Sequence, residues 1–230
     1  ALPVTQAAVQ LEQIRNGMLG TSSSSPQNVE ELPADPRIPL FQETDFPRDS
    51  FESLARDGTL MYVHPKRWIR ENDDALDFRF VTGIGLVEKP LPEVKELTTQ
   101  FRRFSEFIDQ VSKVEASSTP DGYEATWHLD MGVSLLPLNF SYSLAYRWRG
   151  ENSLSFHQVK GDLRYVYGAL EWAALEDDRT LFFYTTATQV GRKDSTLVQF
   201  AKLLPHLQII IGVSTGALAV KKQIQWVNEQ

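Results

Sequence analysis

The feature that most constrains the fold is an alternation of apolar and polar residues from about residue 110 to residue 189. A period of two is typical of β-strands that bury one face and expose the other. Turn residues divide this stretch, which predicts strands over residues 110–117, 122–133, 138–149, 153–160, 164–175 and 179–189. Consecutive strands joined by short turns form an antiparallel sheet. Such a sheet has one apolar face that another element must cover.

The C-terminal stretch, residues 194–227, has the helical spacing of apolar residues that suits this cover. Pro205 lacks an N–H, so we expect it to kink the helix or to split off a short first segment. Six of the eight residues 212–219 are Gly, Ala, Ser or Thr, which leaves that part of the helix with little side-chain bulk. Either the helix sits close on the sheet there, or the missing side-chain volume is part of a cavity for a bound molecule. The uncharged stretch 203–220 is too polar and barely long enough to span a membrane.

The first part of the chain is predicted to form an N-terminal arm outside the main domain. Residues 4–18 carry an apolar stripe at helical spacing, and a Ser- and Pro-rich linker follows. We therefore divide the chain into an N-terminal helix with its linker, residues 1–40, and a main domain, residues 41–230. Whether the arm packs on the domain, binds a partner or stays loosely ordered is left open by the sequence.

Shorter elements are predicted between the arm and the sheet. A helix over residues 49–57 precedes a strand over residues 59–64, and a second strand spans residues 76–87. In that second strand Gly83 and Gly85 share one face, where they allow bending or a close approach of another element. Two short helices follow, the first led by a proline.

Composition excludes several functional classes. A net charge of −7 and a pI near 5.2 argue against a nucleic-acid binder, which normally carries a basic excess. The chain has no cysteine, so thiolate chemistry and disulfides are excluded. Its four histidines are scattered without metal-ligand spacing, and no Gly-x-Ser-x-Gly elbow is present. We therefore expect neither a metal nor a cofactor.

The first residue bears on localisation. The sequence begins at Ala1 rather than at a methionine, which favours export to the periplasm, after removal of a signal peptide, over a cytoplasmic location. A trimmed chain would begin in the same way.

The order of these elements resembles a known superfamily. Two segments carry the local likeness, Leu86-Val87-Glu88-Lys89-Pro90-Leu91-Pro92-Glu93-Val94 and Phe101-Arg102-Arg103-Phe104-Ser105-Glu106-Phe107. From about Leu76 to Val227 the chain resembles the START-like superfamily, also called SRPBCC, which includes polyketide cyclases and coenzyme-Q-binding proteins. The resemblance implies an α+β helix-grip fold, with an antiparallel sheet of about seven strands wrapped around the long C-terminal helix. The arm and the strand at residues 59–64 are additions to the minimal domain.

The resemblance also implies a function, namely binding of an apolar molecule between the sheet and the helix. The ligand expected is a lipid, a sterol-like compound or a quinone. By strand alternation, the residues predicted to face this space are Trp127, Leu129, Phe140, Tyr142, Tyr146, Phe156, Tyr167, Tyr184, Gly212 and Gly216. Aromatic walls with a few polar groups are typical of a pocket that orients a ligand, although ordinary core packing explains the same stripe.

Two alternatives to a carrier remain. A cyclase- or aromatase-like enzyme would use the same cavity, and its weak candidate for an acid or base is Glu171. This carboxylate shares a strand face with Tyr167, unless a slip of the pleat at Gly168 turns it to solvent. A protein-interaction module would lack the ligand and use the arm for recognition.

Four basic residues offer a separate surface. Arg147, Arg149, Lys160 and Arg164 are expected on the other face of the sheet or along its edge. They would meet lipid headgroups at a membrane surface or form an ordinary solvated face. The sequence identifies no protein partner.

Overall fold

The computed structural model describes residues 30–31, 38–41, 48–56, 59–65, 67–71, 74–130, 139–163, 165–189 and 219–230. In chain order the elements are β1 (Glu30–Glu31), α1 (Arg48–Ala55), β2 (Leu60–Val63), β3 (Arg67–Glu71), β4 (Asp74–Phe78), β5 (Val81–Val87), α2 (Leu91–Thr99), a 3₁₀ helix (Phe101–Glu106), β6 (Val111–Thr119), β7 (Gly122–Asp130), β8 (Asn139–Gly150), β9 (Ser153–Gly161), β10 (Tyr165–Ala174), β11 (Thr180–Gln189) and α3 (residues 219–229). Residues 190–218, including Pro205 and the small-residue run at 212–218, and residues 1–29 with the predicted N-terminal helix lie outside the described part.

Eight strands form the main sheet, in the order β2-β5-β11-β10-β9-β8-β7-β6. Every neighbouring pair is antiparallel. The six predicted meander strands are confirmed to within a few residues, as is the lead-in strand at the sheet edge. The turn from β10 to β11 places Asp177 and Asp178 at φ values of 65° and 55°, the left-handed conformation that tight hairpins favour.

One strand predicted from the sequence is two separate strands in the structure. The segment at residues 76–87 breaks after Phe78, and β5 alone joins the main sheet. Its first part, β4, pairs with β3, which also pairs in parallel with β1. The result is a separate three-stranded sheet. Residues Glu30–Glu31, assigned to a linker by composition, are therefore part of a strand.

We call the inner face of the main sheet the side that packs against α2, the 3₁₀ helix and α3. Its core contains Trp127, Tyr146 and Phe156 from the sheet together with Val220 and Trp226 from α3. The alternation of β7 and β8 deduced from the sequence is confirmed by these contacts. The C-terminal helix therefore lies on the predicted face.

Two glycines of β5 determine how closely α3 approaches the sheet. A Cβ atom added at Gly83 would lie 2.6 Å from Cγ2 of Val220, and one at Gly85 would overlap Cδ1 of Ile224. Both glycines face the helix, so their missing side chains make room for it. The prediction that they permit close approach of another element is confirmed.

Thr98 joins three elements beneath this helix. Its hydroxyl donates to the carbonyl of Val94 in α2 (2.7 Å) and accepts the indole N–H of Trp172 in β10 (2.9 Å). The amide of Gln223 in α3 donates to the Thr98 carbonyl (3.4 Å). Both Thr98 and Gln223 are buried. These bonds fix α3 at the end of the sheet where it meets α2.

The outer face is the opposite side of the main sheet, and its half nearest β2 is covered as well. Phe41 stacks on Phe183 of β11, with ring centroids 5.3 Å apart, and Phe51 of α1 meets the same ring edge-on. Arg179, after the β10–β11 turn, forms an ion pair of 2.7 Å with Glu52 of α1. The pKa of Glu52 is lowered, chiefly by its hydrogen bond from Arg179. The segment before β2 thus forms a second layer on the sheet.

Within the described residues, no helix is both long enough and apolar enough to cross a membrane.

Candidate ligand-binding site

Six predicted site residues come together in the core of the inner face. They come from β7, β8, β9 and β11, and they are Trp127, Leu129, Tyr142, Tyr146, Phe156 and Tyr184. Three of the predicted positions are not tested in this way. Phe140 lies in β8 opposite Leu129 but its side chain is outside the described part, and so are Gly212 and Gly216.

Tyr167 requires a correction. It packs with Phe80, Ala187 and Ile38 on the outer face. In β10 the residues that reach the inner core are Leu170 and Trp172, which have even numbers, so the odd-numbered residues face the other way. Tyr167 therefore does not line the space between the sheet and the helix.

Glu171 requires the same correction. It does share a face with Tyr167, as predicted, but that face is the outer one. Its side chain is fully buried, and Oε1 accepts the backbone N–H of Phe41 at 2.9 Å. Pairing between β10 and β11 continues without a break through Gly168, so no slip of the pleat occurs. Glu171 is thus neither in the inner space nor in solvent.

Four inner-face side chains form a group that we call the donor cluster: Trp127, Tyr142, Tyr146 and Tyr184. Trp127 pairs with Tyr142 across β7 and β8. The ring of Phe156 lies 5.3 Å from that of Tyr146 and 5.9 Å from that of Tyr184, measured between centroids, and so links the two. The cluster therefore brings three hydroxyls and one indole N–H to one region.

Gly168 allows the cluster to assemble. It lies in β10 between β9 and β11, and a Cβ atom there would overlap the Phe156 ring. Without a side chain at this position, the Phe156 ring extends across β10 to stack on Tyr184. This close packing is a reason for glycine in the middle of a strand.

Helical residues cover the other side of the cluster. Phe101 of the 3₁₀ helix stacks on Tyr146 with centroids 4.3 Å apart, and Phe104 meets Trp127 edge-on at 5.1 Å. The sequence predicts helical residues here but does not assign them to the site. Phe101 and Phe104 are three residues apart, which is one turn of a 3₁₀ helix, and this spacing was the signal that both rings lie on the same side of the helix.

Burial keeps the phenols protonated. It raises the pKa of Tyr142 and of Tyr146 well above the ordinary value, and the nearby Tyr184 adds to both shifts because two phenolates would repel each other. Burial also raises the pKa of Tyr184 to about 12, against a smaller lowering by its hydrogen bond with Thr186. At neutral pH all three are therefore uncharged hydrogen-bond donors.

The Trp127 indole is the one nitrogen donor of the cluster. Its side chain is 8% exposed, and Nε1 is closed to solvent and has no partner at hydrogen-bonding distance and angle. A weaker hydrogen-bonding interaction with the Tyr146 hydroxyl, outside those limits, lowers the pKa of Tyr146 and is the smallest of the effects on it. A buried N–H without an acceptor is uncommon in proteins.

A shallow, open groove of about 330 Å³ lies at the ends of β7 and β8. Its lining is mostly polar and consists of Ser112, His128, Leu129, Asp130, Asn139, Ser141 and Asp162. This lining suits an apolar molecule less well than the donor cluster does. Across the described part of the chain, no three His, Asp or Glu side chains are grouped so as to hold a metal ion.

The predicted basic residues lie on the outer face where the structure describes them. Arg147 donates to the carbonyl of Tyr146 at 3.0 Å, and Arg149 donates to the Ser155 hydroxyl at 3.0 Å. A β-bulge before Lys160 shifts the register of β9, so that Lys160 pairs with Ser143. Lys160 therefore faces the same side of the sheet. Burial, and then the charges of Arg147 and Arg149, lower the pKa of His157 beside them. Arg164 lies outside the described residues.

Comparison with known sequences finds no matching protein family and no matching curated protein. Solved structures do match. An aromatase/cyclase, Zhui, from Streptomyces sp. R1128 is 14% identical with a TM-score of 0.51, covering 66% of this chain and 94% of its own. A START superfamily protein from Mycobacterium smegmatis is 12% identical with a TM-score of 0.50, covering 64% and 98%. A STAR-related lipid transfer protein from Xanthomonas axonopodis is 10% identical with a TM-score of 0.50, covering 73% and 100%.

These likenesses extend over nearly the whole of each solved domain and about two thirds of this chain. At such low identity they concern the fold and not the activity. They agree with the element order, the antiparallel sheet and the helix that packs on its inner face. The chain therefore has the START-like, helix-grip fold.

Proposed function

We propose that this protein binds a hydrophobic small molecule between the inner face of the sheet and the C-terminal helix, and that it shields or carries that molecule. A lipid, a sterol-like compound or a quinone is the class proposed. The observation that carries the proposal is the donor cluster. A largely aromatic and aliphatic face holds four hydrogen-bond donors in one region, which is the make-up of a pocket that orients an apolar ligand.

The fold supports the same proposal. One solved structure of this fold is described as a lipid transfer protein and another as an aromatase/cyclase. The first name states that the molecule transferred is a lipid. We extend to this chain only the binding of such a molecule.

The inner face favours a carrier over an enzyme. Cyclase chemistry needs an acid or base that faces the ligand. Glu171, the candidate from the sequence, lies on the outer face beneath Phe41. The described inner face offers phenols whose pKa is raised, and such groups are poor bases at neutral pH.

Contact with a membrane surface is a further part of the proposal. Arg147, Arg149 and Lys160 give the outer face a local basic character in a chain of net charge −7. A carrier that loads from a membrane would use such a surface to meet anionic headgroups.

Native mass spectrometry of the protein purified without added lipid tests the proposal. We expect a stoichiometric adduct, and organic extraction then identifies its class. The variant Leu129→Trp adds bulk beside the donor cluster and should lower the adduct fraction. Val159→Trp adds the same ring at a position that is 53% exposed and should leave the adduct unchanged. A wild-type protein that stays empty and takes up no lipid, sterol or quinone would contradict the proposal.

A further inference from the structure

We infer that the bound molecule presents an uncharged oxygen acceptor, such as a ketone, quinone or ester carbonyl, to the Trp127 indole N–H, with the neighbouring tyrosine hydroxyls as additional donors. A carboxylate or phosphate is disfavoured at this position. The inference rests on the proposed function and narrows its ligand class.

The first support is the unmatched donor itself. Trp127 Nε1 is closed to solvent and has no acceptor at hydrogen-bonding distance and angle, although the Tyr146 hydroxyl lies nearby. An indole N–H only donates, so the group that satisfies it must carry an acceptor atom. Trp127 pairs with Tyr142 and lies beside Tyr146, which places the donor within the cluster and not at the edge of the sheet.

The second support is the charge state of the cluster. Burial raises the pKa of all three phenols, so each keeps its proton at neutral pH. The same surroundings that disfavour a phenolate disfavour a ligand carboxylate, because both are anions removed from water. A neutral carbonyl accepts hydrogen bonds without this cost.

The third support is the lack of a nearby cation. On the described strands, the inner-face positions carry no Asp, Glu, Lys, Arg or His. Among the described residues, two cations meet inner-face rings: Lys95 lies over Trp148 at 4.5 Å, and Arg103 lies over Trp226 at 4.5 Å. Trp148 is two residues along β8 from Tyr146 and six from Tyr142, roughly 7 and 20 Å at the rise of a strand. Both cations have partners of their own, since Lys95 donates to the Glu151 carbonyl and Arg103 pairs with Glu106. On the described strands, an anionic group at Trp127 would therefore meet no positively charged side chain on the inner face.

The test compares two probes of equal chain length, a long-chain methyl ketone and the corresponding fatty acid. Binding to the whole chain is measured by titration calorimetry at a pH where the free acid is ionised. We expect the ketone to bind at least about tenfold more tightly, the factor that one well-formed hydrogen bond supplies. Equal or tighter binding of the fatty acid overturns the inference and leaves the proposed function standing. If neither probe binds and the purified protein is empty, the proposed function fails and the inference fails with it.

Single substitutions test which side chain donates the hydrogen bond to the ketone. Trp127→Phe keeps an aromatic ring and removes the N–H, so ketone binding should weaken by about tenfold. Trp148→Phe makes the same change outside the donor cluster, nearer the end of β8, and should leave binding unaltered. Tyr184→Phe, a milder change that removes one hydroxyl, should also weaken ketone binding. This variant replaces Trp127→Phe as the test if Trp127→Phe lowers the midpoint of unfolding. Ketone affinity unchanged in both Trp127→Phe and Tyr184→Phe overturns the assignment to the donor cluster.

Discussion

Two buried regions of the main sheet, the outer layer beneath Phe41 and the donor cluster of the inner face, satisfy their polar groups differently. On the outer face, Glu171 accepts the N–H of Phe41, and the hydroxyl of Thr82 bonds both Thr185 (2.7 Å) and His64 (2.8 Å). These groups find partners in the protein. In the donor cluster, the Trp127 N–H has none, although it is equally closed to solvent. Elsewhere on the described sheet, His128 Nε2 and Ser153 Oγ on the outer face and Gln158 Oε1 on the inner face are also buried without a partner.

This difference separates structural from binding roles. Buried polar groups that satisfy one another hold two layers together and leave nothing for a ligand. A buried donor that the protein leaves unmatched is costly, and folds keep few of them. We therefore assign the outer face beside β5, β10 and β11 to stability and the donor cluster of the inner face to recognition.

The largest expected effect comes from breaking the outer face. Glu171→Ala leaves the Phe41 N–H without this acceptor and opens a cavity under the aromatic layer, so it should lower the free energy of unfolding by about 4 kcal/mol. Urea denaturation measures the loss. Glu171→Gln is the matched control, because an amide oxygen still accepts, and it should cost less than half as much.

The same variant tests the division between the faces. If Glu171 is structural, the folded fraction of Glu171→Gln should retain the wild-type adduct in native mass spectrometry. Loss of ligand without loss of stability would place Glu171 in the binding site and would contradict its assignment to the outer layer.

Alkaline pH tests how well the inner face excludes water, through the ionisation of Tyr184. Tyr184 has its pKa raised to about 12 in the folded protein from an ordinary value of 10.0. The stability from keeping this phenol neutral is fully present below about pH 10 and is lost as pH rises through 12. A two-unit shift corresponds to roughly 3 kcal/mol.

Unfolding free energies at several pH values between 9 and 12, compared between the wild type and Tyr184→Phe, measure this contribution. Tyr184→Phe lacks the ionising group, so its stability should fall less steeply over that range. Parallel curves for the two proteins would show that Tyr184 ionises as easily in the folded state as in the unfolded one. The donor cluster would then be better solvated than its burial indicates.

Most of the inner face was predictable from the sequence. In β7 and β8 the alternation is strict, with Trp127 and Tyr142 on one side and charged or small polar residues on the other, and a period of two leaves one choice of face. The close approach at Gly83 and Gly85 was predictable for a similar reason, since paired glycines on one strand face leave room for another element.

The outer layer was missed at Tyr167 and Glu171, and the reason is physical. β10 reads Tyr165-Val166-Tyr167-Gly168-Ala169-Leu170-Glu171-Trp172-Ala173-Ala174, which is apolar at both odd and even positions. When both faces are buried, alternation no longer shows which face lies inward. The same pattern was nevertheless a signal that a second layer covers this strand. What no local pattern shows is that the cover comes from Phe41, 130 residues earlier in the chain.

The smallest expected effect concerns the place where α3 sits on the inner face, and it separates close packing from a cavity along the helix. Gly83→Ala brings a methyl group within 2.6 Å of Cγ2 and 3.2 Å of Cβ of Val220, a branched side chain that is stiff about χ1. The helix must shift, so we expect a loss of about 2 kcal/mol in unfolding free energy, after allowing for the lower entropy of the unfolded alanine chain.

Gly85→Ala is the matched control on the same strand face. It meets first the terminal Cδ1 of Ile224, which can rotate aside, so it should cost about 1 kcal/mol or less. Neither glycine has a positive φ, so backbone strain does not enter the comparison. If Gly83→Ala proves neutral while its adduct is lost, α3 lifts easily at this end and the ligand space extends beneath it. If stability falls and the adduct stays, this end of the helix is a fixed anchor and the space for the ligand lies at the donor cluster.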